Sequence, residues 1–303
     1  MTNAEIQAAI AAAYGEGHAY VSYTSNLLDK NSQRKVFELI TTNIYISSAN
    51  YHTYDWNAET SQKRFGELVR GWKKNAQKFD TSIIFDSSNR ASELNDFHDA
   101  LEYDILHATP GTFRWNDYTI DAYGISSKTE PYSKSQTLNT VSFYAPDPFW
   151  RKQVAYTQTE TQYIGEEDDV KTYAYGGYNY NYNYTGETGA RFIITNPDVL
   201  DSKYILTVYG PAYSPALSIG DTNISFPGLT VPQDAYLIVN SMLKTAILHR
   251  VDGTEINCFG KRDPDNYLWD PIAYGQNRVS WDGTFTFDIQ LIEERSEPKW
   301  LTA

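Results

Sequence analysis

The sequence predicts a mostly β protein in two parts, an α+β domain followed by a β-sandwich. Its 303 residues are enough for two domains, each with its own core. The first half combines alternating strand patterns with one amphipathic helix, and a helix on antiparallel strands gives an α+β domain. The second half contains short strands separated by turn residues, a pattern typical of a β-sandwich.

Composition narrows the possible partners. A hydrophobic content of 41% and a charged content of 21% suit a soluble globular protein. The formal net charge of −13 argues against nucleic acid or an anionic membrane as an attractive partner. A single cysteine, Cys258, excludes an internal disulfide. We find neither a signal peptide nor about eighteen consecutive apolar residues, so we expect synthesis in the cytoplasm.

The sequence patterns that predict the first helices and strands differ in strength. Residues 4–14 are rich in alanine and predict a short helix or a partly ordered arm. Residues 35–47 contain β-branched and aromatic side chains and predict one strand. Residues 63–78 are basic and compatible with a helix, whereas residues 81–85 predict a strand.

The clearest helix of the chain covers residues 92–107. It stops before Thr109-Pro110-Gly111, and its apolar residues recur at spacings of three and four: Leu94, Phe97, Leu101 and Ile105. A hairpin follows, with residues 112–115 against 118–123 across Asn116-Asp117. The alternating residues 138–145 predict the last strand of this half.

The second half is predicted to be almost entirely strand. Asp252-Gly253 marks a tight hairpin turn between residues 248–251 and 254–259, since Asp-Gly suits positions with positive φ. Asp282-Gly283 predicts a second such turn. The other predicted strands are residues 191–195, 204–209, 235–240 and 284–291.

A rigid corner divides the two halves. The strand at 138–145 runs into two prolines, which remove backbone donors and prevent a regular strand or helix from continuing. Two large rings that require burial come directly afterwards. We interpret the motif as a domain junction, with domains at 1–148 and 149–303; the alternative is an ordinary strand exit with a buried ring pair. The motif consists of Pro146, Asp147, Pro148, Phe149 and Trp150.

The same stretch carries a family resemblance. An alternating strand running into APDPFW resembles the end of the N-terminal domain of distal tail proteins from long-tailed bacteriophages. Three further stretches agree, in the order the family shows: EYDILHATPGTFRWNDYTIDAY at 102–123, GQNRVSWDG at 275–283 and EERSEPKW at 293–300. The resemblance implies an N-terminal ring-forming domain and a galectin-like sandwich that is inserted in it or follows it.

The resemblance also implies a role. In this family the N-terminal halves form a hexameric ring at the tail tip, or baseplate, of the virion. The ring joins the tail tube protein to the tail-associated hub protein and often presents receptor-binding proteins. DNA passes through its lumen without specific binding, so we expect an acidic or neutral lumen, with Lys and Arg turned toward subunit interfaces and the outside.

The sequence does not predict an enzyme, a metal site or a cofactor. The five histidines are scattered, without the spacing that would place two of them on one metal. Cys258 sits beside Phe259 in a predicted strand and is expected to be a small buried hydrophobe. The acidic runs at 166–169 and 263–266 are expected to be a solvated loop and a turn. A glycan-cleaving enzyme would need two carboxylates in a cleft, and no pattern identifies such a pair.

A Tyr/Asn tract supports an alternative function, carbohydrate-binding adhesion to host cell walls. Four tyrosines share one parity and would present their rings on one face if the segment were extended, with asparagines supplying hydrogen bonds. The other interpretation is a protruding hairpin or linker whose rings pack on a neighbouring subunit. The tyrosines are Tyr178, Tyr180, Tyr182 and Tyr184.

Overall fold

The computed structural model describes residues 20–158 and 190–299, which divide into two compact units. Unit 1 contains the chain up to Lys152 and again from Glu294, and unit 2 contains Gln153–Glu293. Unit 2 is therefore inserted between two segments of unit 1. These units differ from the predicted ranges 1–148 and 149–303, because Trp150 belongs to the core of unit 1 and the chain returns to that unit at Glu294.

The described part of unit 1 contains one helix and a series of antiparallel strands. In chain order they are β1 Val21–Leu28, β2 Arg34–Glu38, β3 Ile44–Ala49, β4 Asn57–Gln62, β5 Glu67–Lys73, β6 Gln77–Phe85, α1 Arg90–Leu106, β7 Gly111–Trp115, β8 Tyr118–Pro131 and β9 Thr137–Ala145. The next strand, β10 Trp150–Gln158, starts in unit 1.

The long strand β8 joins two sheets of unit 1. Its first half pairs with β7, with Phe113 opposite Ile120, and extends the order β2-β1-β7-β8. Its second half pairs with β9 and extends the order β8-β9-β6-β3. Buried rings from both sheets, such as Tyr23 of β1 and Phe143 of β9, meet in one core at 5.4 Å. Strands β4 and β5 form a separate hairpin.

Several predictions for unit 1 are confirmed. Helix α1 begins two residues earlier than expected and buries Phe97 and Leu101. The hairpin β7–β8 and strand β9 have the expected positions. The mostly β composition with one helix among the described residues also agrees with the sequence.

One prediction for unit 1 is wrong, and one alternative that the sequence left open is decided. Residues 35–47 form two strands, because the Thr41 hydroxyl accepts hydrogen bonds from the amides of Asn43 and Ile44 and turns the chain between them. Residues 63–78 are not helical. Gly66, with a φ of +74°, closes the β4–β5 hairpin, and the chain then continues as β5 and the start of β6.

Unit 2 is a β-sandwich. The rest of β10 is followed by β11 Ala190–Asn196, β12 Lys203–Tyr209, β13 Ala212–Tyr213, β14 Ala216–Ile219, β15 Thr222–Ser225, β16 Thr230–Val231, β17 Tyr236–Asn240, β18 Thr245–His249, β19 Glu255–Asn257, a 3₁₀ turn Phe259–Lys261, β20 Gly275–Trp281 and β21 Phe287–Arg295. One sheet has the order β19-β18-β17-β12-β21 and the other β11-β20-β14-β15. A shared core contains Leu206, Leu237 and Ile289 from the first sheet and Ile194, Val279 and Trp281 from the second.

Of the two hairpin turns predicted for unit 2, one is confirmed and the other is wrong. Asp252-Gly253 does close a hairpin, β18–β19, with Gly253 at a φ of +79°. Asp282-Gly283 does not, because β20 and β21 belong to different sheets. Phe285 is fully buried directly after this turn, so the chain crosses the core there instead of folding back beside β20. The predicted turn at 263–266 is confirmed by a hydrogen bond from the Asp265 amide to the Asp263 carboxylate at 3.1 Å.

Candidate functional site

An aromatic cluster lies beneath the Pro-Asp-Pro corner in unit 1. The rings of Phe79, Phe113 and Phe143 lie 5.1 to 5.3 Å apart. Trp150 is fully buried and joins them, with its ring centroid 5.8 Å from Phe79 and 6.1 Å from Phe113. Such ring pairs add about 0.5–1.5 kcal/mol each beyond the area they bury. Trp150 therefore anchors the corner to the core of unit 1.

The local sequence explains why the chain turns here. In β9, Val141, Phe143 and Ala145 are buried in alternation, and the strand ends where Pro146 removes a backbone donor. Asp147 is exposed and Pro148 is buried. The chain resumes as β10, where Arg151 lies opposite Thr119 of β8.

Arg151 connects the corner to the segment of unit 1 that follows unit 2. Its guanidinium pairs with Asp147 and, through Nε at 2.9 Å, with Glu294. Its side chain is only 15% exposed. Burial alone would lower the pKa of Arg151, but the hydrogen bonds to Asp147 and Glu294 outweigh it and raise the pKa. The ion pairs therefore hold a permanently charged group at this position.

Lys74 supports the other side of the corner. Its Nζ donates hydrogen bonds to the carbonyl of Pro148 and, at 3.4 Å, to that of Ser296. The same atom lies 4.8 Å from the ring centroid of Phe149, a cation–π distance. Burial lowers the pKa of Lys74 to about 8, although the negative charges of Asp147 and Glu297 oppose this shift.

Trp56 also contacts Phe149 and Ser296. Its ring centroid lies 6.2 Å from that of Phe149, and its Nε1 donates to Ser296 Oγ at 3.2 Å. Phe149 is half-buried by Trp56 and Lys74, whereas Trp150 is fully buried. The two rings, predicted as a buried pair, thus face different environments. The interpretation of the motif as a domain junction stays a prediction.

Only some of the predicted site residues lie in the part of the chain that the structure describes. The corner motif lies together in unit 1, whereas Tyr178, Tyr180, Tyr182 and Tyr184, the 166–169 run and the N-terminal segment 4–14 fall outside the described residues. Sequence reasoning missed Lys74 and Glu294 as partners of the corner. They are 74 residues from Pro148 and 143 residues from Arg151, respectively, and no local pattern marks such long-range contacts.

The β4–β5 hairpin is a second feature that the sequence did not reveal. Its large apolar side chains face solvent: Phe65 is 84% exposed and Trp72 is 63% exposed. Residues 57–74 contain five basic and two acidic side chains, a net charge of +3 in a chain of −13. An exposed apolar patch with charged neighbours is typical of a protein-binding surface.

Residues 20–158 and 190–299 give little evidence of a catalytic or metal-binding site. No group of three or more His, Cys, Asp or Glu side chains in that part of the chain is arranged to hold a metal ion. Cys258 is buried, and its burial raises the pKa of the thiol, which disfavours the reactive thiolate. No helix among the same residues combines the length and apolar character needed to cross a membrane.

Comparisons with known proteins address the fold. No protein-family profile matches the chain, and no curated protein matches it either. Among solved structures, the chain is similar to the Dit protein (gp 19.1) of phage SPP1, described as a paradigm of the hub adsorption apparatus in phages infecting Gram-positive bacteria. The TM-score is 0.56 at 10% identity, over 92% of this chain and 99% of that one.

Two further matches come from a phage baseplate. A chain of the phage P2 baseplate, activated with calcium, gives a TM-score of 0.60 at 14% identity, and a chain of the strontium-activated baseplate gives 0.60 at 15%. Each match covers 93% of this chain and 100% of the other. The chain therefore has the fold of the SPP1 distal tail protein and of a P2 baseplate chain, over more than nine-tenths of its length.

Proposed function

We propose that this chain is a distal tail protein, a structural hub at the tail tip of a phage or a tail-like particle. The observation that carries the proposal is the extent of the fold similarity. It covers 92% of this chain and 99% of the SPP1 Dit protein, so both units contribute. A sandwich alone would say little, because that architecture hosts many unrelated functions. An α+β unit with a sandwich inserted in it is far more specific.

In this proposal unit 1 forms a hexameric ring. The ring joins the tail tube protein to the tail-associated hub protein, and DNA passes through its lumen without specific binding. Ring formation requires an interaction surface on unit 1, and the exposed apolar residues of the β4–β5 hairpin offer one. The role is architectural, so no residue performs catalysis.

Unit 2 is the galectin-like sandwich of the proposed hub. Its insertion between two segments of unit 1 is one of the two arrangements that the resemblance implies, and it supports this proposal. Unit 2 serves as a platform for receptor-binding proteins. The corner at Pro146–Trp150 and the ion pairs of Arg151 stabilise unit 1 at the point where the chain leaves for unit 2.

Electron microscopy of assembled particles tests this proposal. Particles from a producer whose gene for this chain has been deleted should lack the tail-tip structure or have no completed tails, and supplying the gene in trans should restore it. Gold-labelled antibody against the chain should bind the tip of wild-type particles. Normal tails in the deletion strain, together with a label elsewhere or none, would contradict the proposal.

A second candidate function, carbohydrate-binding adhesion, is favoured by one face of unit 2. Tyr209, Tyr236 and His249 lie opposite one another on three neighbouring strands, with ring centroids 6.5 and 4.9 Å apart. The Tyr209 hydroxyl donates to Asp288 Oδ2 at 2.6 Å. Exposed rings beside a carboxylate suit stacking on sugar rings and hydrogen bonding to their hydroxyls.

Binding to purified host cell wall separates this candidate from the hub. An adhesin binds the wall as an isolated chain, and Tyr236→Ser should abolish that binding without unfolding the protein, because Tyr236 is 38% exposed. Replacing Tyr178, Tyr180, Tyr182 and Tyr184 by Ser tests the tract in the same assay. Loss of oligomerisation in that variant would instead place the tract between subunits. A hub without sugar affinity leaves the wall unbound in every case.

A further inference from the structure

The tip of the β4–β5 hairpin carries an unusual exposed ring. Residues 63–66 form the turn, closed by a hydrogen bond from the Lys63 amide to the Gly66 carbonyl at 3.1 Å. Phe65 at this turn is 84% exposed, more than any other large apolar side chain in the described part of the chain. The Arg64 guanidinium lies 5.4 Å from its ring centroid. The tip therefore presents an aromatic ring beside the Arg64 guanidinium, with Lys63 in the same turn.

A groove elsewhere on unit 1 has the opposite character. It has a volume of about 410 Å³ and lies between β2, the β2–β3 turn and the first turns of α1. Its floor is apolar and includes Phe37 and Phe97, whose rings lie 5.2 Å apart, together with Ile44. Val36 lines the groove and is 52% exposed, so the groove opens to solvent.

Carboxylates line the same groove. Glu38, Glu93 and Asp96 belong to its lining, which contains no Lys or Arg. Lys35 pairs with Asp96 at 3.3 Å and has its Nζ 5.3 Å from the ring centroid of Phe37, and Ser87 donates to Glu93 at 2.6 Å. Three carboxylates against two neighbouring cations, Lys35 and Arg90, leave the groove with a net negative charge. An apolar floor with an acidic lining matches a ligand that combines an aromatic ring with positive charge.

We propose that the hairpin tip of one copy inserts Phe65 into this groove on the neighbouring copy, with Lys63 and Arg64 facing its carboxylates. The inference rests on the proposed function, because it assigns the contact that closes the hexameric ring. The high exposure of Phe65 means that the tip does not fill the groove of its own chain. A contact between two different patches is heterologous, and such contacts generate rings when the rotation closes.

Cysteine cross-linking in assembled particles tests the contact. Lys63→Cys and Val36→Cys place one thiol at the tip and one at the groove while retaining Phe65 and Arg64. The native Cys258 is buried and should not interfere. Mild oxidation should produce a ladder of linked chains up to six copies on a non-reducing gel. Each single variant should give no ladder.

A matched control uses Lys63→Cys with Leu106→Cys. Leu106 is 81% exposed but lies at the other end of α1, about 15 Å along the helix from Asp96, so it should not be linked to the tip. Phe65→Ser should weaken self-association about tenfold or more, whereas Leu106→Ser should not.

The outcomes separate this inference from the proposed function. A ladder from Lys63→Cys with Val36→Cys, and none from Lys63→Cys with Leu106→Cys, supports both the groove contact and the proposed hub. Chains that are present at the tail tip but stay monomeric on the gel, link within one chain or link equally through Leu106→Cys overturn the groove contact and leave the hub standing. Wild-type chains absent from the particles overturn the hub and the contact together.

Discussion

Trp150 is the side chain on which the corner of unit 1 depends most. It is fully buried against Phe79 and Phe113, and truncating such a ring leaves a cavity as well as lost contacts. We expect Trp150→Ala to lower the free energy of unfolding of unit 1 by about 3–5 kcal/mol. Phe149→Ala should cost less, because Phe149 is half-buried. Calorimetric melting of both variants checks the order, and the double variant should also fail to enter particles. Equal melting of both single variants and the wild type would contradict this view.

Lys74 gives the corner a pH dependence. Its pKa is about 8 in the folded chain, against an ordinary value of 10.5, because burial disfavours its charged form. Between these values the unfolded chain binds more protons at this site, so the contribution of Lys74 to stability rises with pH from about 8 to 10.5. The burial cost is fully present below pH 8.

A comparison of lysine variants isolates this effect. The difference in unfolding free energy between wild type and Lys74→Met should change in favour of the wild type as the pH is raised from 7 to 10 in denaturant titrations. Lys73→Met removes an exposed neighbouring lysine and is the matched control for the substitution itself. Parallel curves for Lys74→Met and wild type would mean that Lys74 titrates normally.

The corner shows how far sequence reasoning reaches at the scale of single residues. Two prolines one residue apart predict a break in the strand, and the adjacent rings predict burial. The partners of the motif were not predictable, because Lys74 and Glu294 reach it only after the chain has folded. Trp150 is fully buried, whereas Phe149 is only half-buried. This difference likewise depends on which side of the chain faces the core where β10 begins.

At the scale of elements, α1 is held on the strands by both polar and apolar contacts. The Tyr23 hydroxyl donates to the buried Asp104 at 2.7 Å, and the Asn26 amide donates to the same carboxylate at 2.8 Å. Burial raises the pKa of Tyr23, and the carboxylate of Asp104 raises it further. Leu101 packs over Gly124 of β8, where an added Cβ would lie 2.6 Å from Leu101 Cδ2.

Gly124→Ala tests this helix contact. It should destabilise unit 1 by about 1–3 kcal/mol, since the methyl group overpacks the contact between helix and strand. The cost should shrink in a Leu101→Ala background, because the truncated side chain leaves room, and a double-mutant cycle measures the coupling. Gly71→Ala in β5 is the control, because its Cβ would meet only Glu59 Oε2 at an ordinary 3.6 Å. Additive effects of the two substitutions would rule out the close contact.

Elements with strong local signals were predictable, and those set by tertiary context were not. Helix α1 and the β7–β8 hairpin follow from apolar spacing and turn residues. The division of residues 35–47 depends on a hydroxyl that caps the turn at Thr41, and a strand propensity pattern does not report it. Asp282-Gly283 has the chemistry of a hairpin turn, but the burial of Phe285 sends the chain to the opposite sheet.

At the scale of the whole molecule, unit 2 is an insertion whose ends lie close together. Arg151 and Glu294 flank the insertion and pair at 2.9 Å. We therefore expect that deleting Gln153–Glu293 and joining Lys152 to Glu294 through a short Gly/Ser linker leaves unit 1 folded. Truncating the chain after Lys152 should be more destabilising, because Arg151 and Lys74 would lose their contacts with Glu294 and Ser296. Equal melting temperatures for the two forms would contradict this expectation.

The charge of the molecule leads to a prediction for the ring that we propose. The hairpin concentrates positive charge in an acidic chain, and the proposed contact turns this charge toward a neighbouring subunit. The lumen should therefore be acidic or neutral, so that DNA meets no Lys or Arg that would bind its phosphates. Only charges within about 8 Å of the duplex matter at physiological salt. A structure of the ring with unpaired Lys and Arg at its narrowest inner surface would contradict this.

The insertion of unit 2 also has a mechanical consequence. Because the chain both enters and leaves unit 2 through unit 1, any pull on unit 2 is transmitted through two peptide connections, at Lys152–Gln153 and Glu293–Glu294. Tension is shared between two strands that the Arg151–Glu294 pair holds side by side, and neither chain end has to resist it. A module attached in this way distributes a pull over two connections, where one suspended from a single linker would have only one.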